Sequence, residues 1–131
     1  MSDRYRRGID VASKLAPDQL DQFVSSAVAE VDPDFARMSV EFAFGDLYSR
    51  EALDLRSREL VAIAALAVRG NAAPQLRRHV SAAQGVGLTR EEIVEVLMQT
   101  ALYAGLPAAL NALGDCHDLL TDDDCLVCAC R

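Results

Sequence analysis

The chain has 131 residues, 51% of them hydrophobic and only 5% aromatic, with no Trp and a formal net charge of -7. That length suffices for one real core, which Ala, Leu and Val must build, and such small side chains favour helices at close approach. The acidic balance argues against nucleic acid or an anionic membrane surface as partner, because neutralising phosphates needs a basic field.

The opening, MSDRYRRGID, carries no apolar signal region, so the expected location is the cytoplasm. Pro17 suits the first position of a helix reaching about Glu30, with Leu20, Phe23, Val24 and Ala27 at helical spacing. Asp32 and Pro33 cap and open a second helix, predicted to carry Phe35, Met38 and Phe42 inward and to end near Gly45. Asp54 caps a third, which Gly70 stops. Its run LVAIAALAV, Leu60 to Val68, is well short of the roughly 20 apolar residues of a membrane span and reads as a buried helix. A fourth helix carries His79. The fifth has both ends written in the sequence: Thr89 is its N-cap, Glu92 closes a capping box, and Gly105 is the stop. Ile93, Val96, Leu97, Thr100 and Ala101 form its apolar stripe, and Pro107 opens a sixth helix running to about Leu120.

Nothing reads as a strand. The predicted fold is all-α, a compact bundle of about six helices in a single domain over residues 1–121. Residues 122–131 read as a mobile, cysteine-rich tail. Because LVAIAALAV is apolar nearly all round and both ends of the chain add wide apolar stripes, a homo-oligomer is expected.

Five residues stand out chemically. His79 lies one turn from Leu76, Ala82 and Ala83, a setting that fits either a satisfied core histidine or an active one. Glu59 precedes nine consecutive apolar residues, where a buried carboxyl is able to hold a proton; alternatively it is an early-helix acid pairing with Arg56 and favoured by the helix dipole. Glu41 either pairs with Arg37 four residues back or faces a pocket. Arg50 and Arg58 flank a loop and helix start, suited to surface ion pairs or to bidentate carboxylate binding. Arg77 and Arg78 read as a solvated face.

The segments EFAFGDLYSREALDLRSREL (Glu41 to Leu60), LRRHVSAAQGVG (Leu76 to Gly87) and GLTREEIVEVLMQTALYAGLP (Gly87 to Pro107) resemble the carboxymuconolactone decarboxylase family, of the alkylhydroperoxidase D-like superfamily. The resemblance spans roughly residues 35 to 115. It implies an alkylhydroperoxidase D-like helical fold and a ring of three or six copies. It also implies a cofactor-independent decarboxylase, without metal, acting on a small carboxylated lactone like 4-carboxymuconolactone in aromatic-acid catabolism. On the same ground His79 matches the active-site histidine, Glu41 an acid of the family's first segment, and Arg50 and Arg58 its arginines, assigned to substrate carboxylates. Glu59 falls near the proton-relay glutamate of the alkylhydroperoxidase D type, and either Glu41 or Glu59 is assigned to orient or reprotonate His79.

The cysteines depart from that pattern. In the thiol peroxidase branch a C-x-x-C pair sits seven and four residues before the histidine, where this chain has Ala72 and Gln75. Its four cysteines, Cys116, Cys125, Cys128 and Cys130, fall in the last sixteen residues instead. Cys125 and Cys128 follow an acidic TDDD, which disfavours a reactive thiolate, while Cys116, His117 and the tail thiols offer soft ligands in number. A thiol-dependent peroxidase or disulfide reductase using the tail, and a secondary-metabolism enzyme or binding protein on the same fold, are the alternatives.

Overall fold

The computed structural model describes residues 1–121, and among them the chain is helical with no strand. Cys125, Cys128 and Cys130, with the tail predicted over residues 122–131, lie outside the described residues. The chain divides into two compact units, Met1–Arg58 and the part from Glu59 onward. Each of the six predicted helices is present, some in pieces, together with one that the sequence reading passed over.

That additional helix is α1, Asp3–Leu15, capped by the Ser2 hydroxyl, which accepts the Tyr5 N–H. Its inward face is only Gly8, Ala12 and Leu15, too thin a stripe to be recognised as one. The helix predicted from Pro17 breaks into α2, Pro17–Val24, and α3, Ala27–Val31. At the break the Ser25 hydroxyl donates to the Asp21 carbonyl at 2.7 Å, a local bond that competes with helix continuation. Asp32 caps α4, Pro33–Val40, as expected, accepting the N–H groups of Asp34 and Phe35 at 3.0 and 3.1 Å.

The orientation of α4 overturns a prediction. Phe35, Met38 and Phe42 do not face inward: they are 57%, 46% and 61% exposed, while Ala36, Val40 and Glu41 are buried. The reason is a backbone-to-backbone crossing with α1. A Cβ on Gly8 would sit 2.8 Å from the Val40 carbonyl oxygen, and one on Gly45 would overlap the Arg4 carbonyl. Only small side chains fit so close a contact, so the slim face turns toward α1 and the bulky residues are left outside. Nor does the helix stop near Gly45; it continues as a π-helix over Glu41–Tyr48. The Gly45 carbonyl there accepts Arg7 Nε at 2.6 Å and the Ser49 hydroxyl at 2.7 Å.

From Asp54 onward the chain follows the sequence reading closely. Asp54 caps α5, Leu55–Arg69, through a 2.7 Å bond from the Ser57 N–H, and Gly70 ends it at a φ of 68°. Next come α6, Ala73–Gly85, and α7, Arg90–Gln99, with both bonds of the Thr89–Glu92 capping box formed. Thr100 Oγ1 donates to the Leu97 carbonyl at 2.6 Å where α7 gives way to α8, Ala101–Ala104. Gly105, with a φ of 88°, turns the chain into α9, Leu106–Asp115, which Pro107 opens. The short α10, His117–Leu120, closes the described chain. Ile63, Val80, Ala83, Ile93, Leu97 and Cys116 are fully buried at the centre of this unit. Arg77 is no mere solvated residue: it grips both Asp118 oxygens, at 2.5 and 2.8 Å, and the Asp115 carbonyl at 2.7 Å, which seats α10 on α6. No helix of the described residues is long and apolar enough to cross a membrane.

Two outcomes follow. Gly45→Ala forces a methyl group into the Arg4 backbone and should cost roughly 1–3 kcal/mol in urea unfolding; a variant as stable as the wild type would disprove the close crossing. The Arg77 guanidinium holds the Asp118 carboxyl down at about 2, against an ordinary 3.8. Because this pKa is depressed in the folded state, the stabilisation is full above the ordinary value and disappears as pH falls from there through about 2. The pair is largely exposed, so the effect is modest: Asp118→Asn should lose less melting temperature than wild type over that acid range, and parallel curves would exclude the linkage.

Candidate active site

Helix α5 presents Glu59, Ile63 and Ala67 at helical spacing to the core of the second unit, which carries the Glu59 carboxyl out of solvent completely. On α6, His79 follows Leu76 and precedes Val80, both buried, and its own side chain remains 27% exposed. The two meet: His79 Nδ1 lies 2.7 Å from Glu59 Oε2. Glu59 is therefore the buried partner of a histidine, and His79 is not enclosed in the core. Its Nδ1 is occupied by the carboxyl, so Nε2 is the ring nitrogen left to act on a ligand. The other carboxyl oxygen, Glu59 Oε1, is buried without a hydrogen-bond partner. A carboxyl so placed depends on the imidazole, because removing the partner of a buried charge leaves it uncompensated.

The remaining predicted residues belong to the first unit. Glu41, at the start of the π-helix, is also buried, but both its oxygens are engaged. Oε1 accepts the Ser2 hydroxyl in a short bond, Oε2 accepts Arg37 at 3.0 Å, and Arg4 stands at 3.8 Å. The Ser2 hydrogen bond, followed by Arg37 and Arg4, holds this carboxyl below the usual range. The pair with Arg37 is the one the sequence spacing suggested. Arg37 and Arg4 thus make Glu41 a fixed anion that ties α1 to the π-helix, whereas Glu59 is the acid bonded to His79.

Arg50 is exposed, and Arg58 is tethered to it, donating from Nη2 to the Arg50 carbonyl at 3.0 Å. The Arg58 guanidinium also lies 5.7 Å from the centre of the Tyr48 ring, which stacks edge-on with Phe44 at 5.3 Å. Its Nε is buried without a partner. The ring beneath Arg58 is a positioning contact that spacing alone did not reveal, since the π-helix changes which residues share a face.

Cys116 is enclosed in the core, and burial pushes its thiol up to about 11, so it is a packing residue with no nucleophile to offer. Among the described residues no group of three or more His, Cys, Asp or Glu side chains is placed to hold a metal ion. The second unit has a groove of about 280 Å³, lined by Leu60, Val61, Ala64 and Val68 of α5 and by Val96, Gln99, Thr100 and Tyr103.

The chain is 30% identical over 119 residues to the 4-carboxymuconolactone decarboxylase of Acinetobacter baylyi, covering 91% of this chain and 88% of that protein. It is 35% identical over 118 residues to a 15.0 kDa protein from the nqo9-nqo10 intergenic region of Paracoccus denitrificans, covering 89% and 87%. To the nitrosuccinic acid decarboxylase of Metarhizium robertsii it is 30% identical over 114 residues, covering 83% and 78%. Residues 33–114 match the sequence profile of the carboxymuconolactone decarboxylase family, and the chain belongs to that family.

Proposed function

We propose that the protein is a cofactor-independent carboxy-lyase that removes carbon dioxide from a small carboxylated lactone of the 4-carboxymuconolactone kind, in aromatic-acid catabolism, and works as a homo-oligomer of three or six copies. The observation that carries this reading is the bond between buried Glu59 and partly exposed His79, which fixes the ring and leaves Nε2 for chemistry.

Such a substrate is its own electron sink. The bond from the carboxylate to the ring carbon bearing oxygen breaks, carbon dioxide leaves, and the electron pair passes through the ring double bond into the lactone carbonyl. The protein then has to hold carboxylates, stabilise the developing oxyanion and protonate the carbon beside the carbonyl. His79 delivers that proton from Nε2, and Glu59, bonded to Nδ1, orients the ring. Family resemblance assigns Arg50 and Arg58 to the substrate carboxylates. Glu41, already engaged by Ser2, Arg37 and Arg4, serves better as an anchor of the π-helix than as a proton carrier.

A second reading rests on the likeness to the nitrosuccinic acid decarboxylase: a small open-chain acid, with a nitro group in place of the lactone carbonyl as electron sink. Assaying both acids for carbon dioxide release separates the two.

His79→Gln, which keeps a hydrogen-bond donor for Glu59 but not the imidazole, should lower the melting temperature while the protein still folds and assembles, and should lower turnover by roughly a hundredfold or more. A variant that folds and turns over like the wild type removes His79 from the mechanism. Glu59→Gln keeps the shape and a hydrogen bond but not the charge. It should reduce kcat roughly tenfold or more with KM little altered, and a change confined to KM would place Glu59 in substrate binding instead.

A further inference from the structure

We infer that Tyr48 is a positioning residue for substrate binding: its ring fixes the pose of Arg58, and Arg58 in turn holds the backbone of Arg50, so that the two arginines act as one carboxylate clamp. The inference rests on the assignment of those arginines to the substrate carboxylates and adds the residue that aims them. All of these residues lie in the first unit.

The Arg58 guanidinium is held at its face and at one edge. Its central carbon lies over the Tyr48 ring, 5.7 Å from the ring centre, within the reach of a cation–π contact. At the edge, Nη2 donates to the Arg50 carbonyl at 3.0 Å. The ring is itself braced: Tyr48 is the last residue of the π-helix, and Phe44 meets it edge-on with centres 5.3 Å apart and planes at 66°. The Arg50 N–H donates to the Leu47 carbonyl at 3.2 Å, so the backbone of Arg50 is bonded both to the π-helix and to the Arg58 side chain.

The pose these contacts impose is not the one that best satisfies the arginine. Arg58 Nε is buried, and no acceptor of the protein reaches it. A buried donor without an acceptor is costly, and a guanidinium on a flexible stem turns to relieve that cost unless its neighbours prevent it. Here the ring and the Arg50 carbonyl hold it in place. A donor kept unmet in a fixed position is available to an incoming oxygen, and a carboxylate, with two acceptor oxygens, matches the planar guanidinium. An arginine ordered before the substrate arrives binds it more tightly in the ground state and the transition state alike, so the contribution of Tyr48 falls on KM.

The test is steady-state carbon dioxide release from 4-carboxymuconolactone and from nitrosuccinic acid. It compares the wild type with Tyr48→Leu, Tyr48→Phe, Arg58→Met and the double variant Tyr48→Leu, Arg58→Met, with folding checked by circular dichroism. Tyr48→Leu should raise KM roughly three- to thirtyfold and leave kcat within about twofold. Tyr48→Phe, which keeps the ring, should recover most of that loss. In the Arg58→Met background Tyr48→Leu should change KM no further, because the ring acts through the guanidinium. An unchanged KM in Tyr48→Leu, or an equal loss with and without the Arg58 guanidinium, would overturn the positioning role and leave the carboxy-lyase reading standing. A wild type that releases no carbon dioxide from either acid would overturn that reading and this role together. Should Tyr48→Leu not fold, Phe44→Leu removes the brace instead: a raised KM that Arg58→Met abolishes supports the role, and a wild-type KM refutes it.

Discussion

A carboxyl group with no access to water sets the terms for the second unit of this chain. Glu59 is placed on the core face of α5, where the next nine residues along the helix are apolar, and the cost of enclosing it is offset chiefly by one bond to His79. Both ends of that bond have to be held. Asp54 starts α5 and Gly70 ends it, so the register of the helix is fixed from either side. Ile63, Val80 and Leu97, all without exposure, pack the unit in which the bond is made. Arg77, two residues before His79, ties α10 to α6 through Asp118 and the Asp115 carbonyl.

How much of this was legible in the sequence differs between the two units. In the second, caps and stops are local chemistry: Thr89 with Glu92, Gly70 and Gly105 each dictate an end through their own backbone, and each acts where predicted. In the first unit the decisive event is a contact between segments some forty residues apart. Gly8 and Gly45 allow two backbones to touch, and this reverses the side of α4 that faces inward. Periodicity locates the stripe of Phe35, Met38 and Phe42 correctly but carries no information on which side a neighbour will take.

The site divides in the same way. His79 and Glu59 were visible as residue types in apolar settings, yet twenty positions of sequence give no measure of the 2.7 Å between them. Glu41 looked equally suited to orient the histidine, and its partners explain the difference: Ser2 and Arg4 come from the first turns of a helix too thinly apolar to be foreseen. Arg58 over Tyr48 escaped notice because the intervening π-helix alters the spacing on which such pairs are recognised.

That wider helix has a meaning for how the protein tolerates changes of length. A π-helix spends one more residue on each hydrogen-bonded ring than an α-helix does. Deleting one residue between Gly45 and Tyr48 therefore leaves a segment that is able to wind as ordinary α-helix. The loss falls on direction: Tyr48 would leave the helix at a different angle and no longer lie beneath the Arg58 guanidinium. A deletion after Gly45, which spares the contact of Gly45 with α1, is thus felt mainly in the aim of the side chains that follow, so the length of this stretch sets where Arg58 is held.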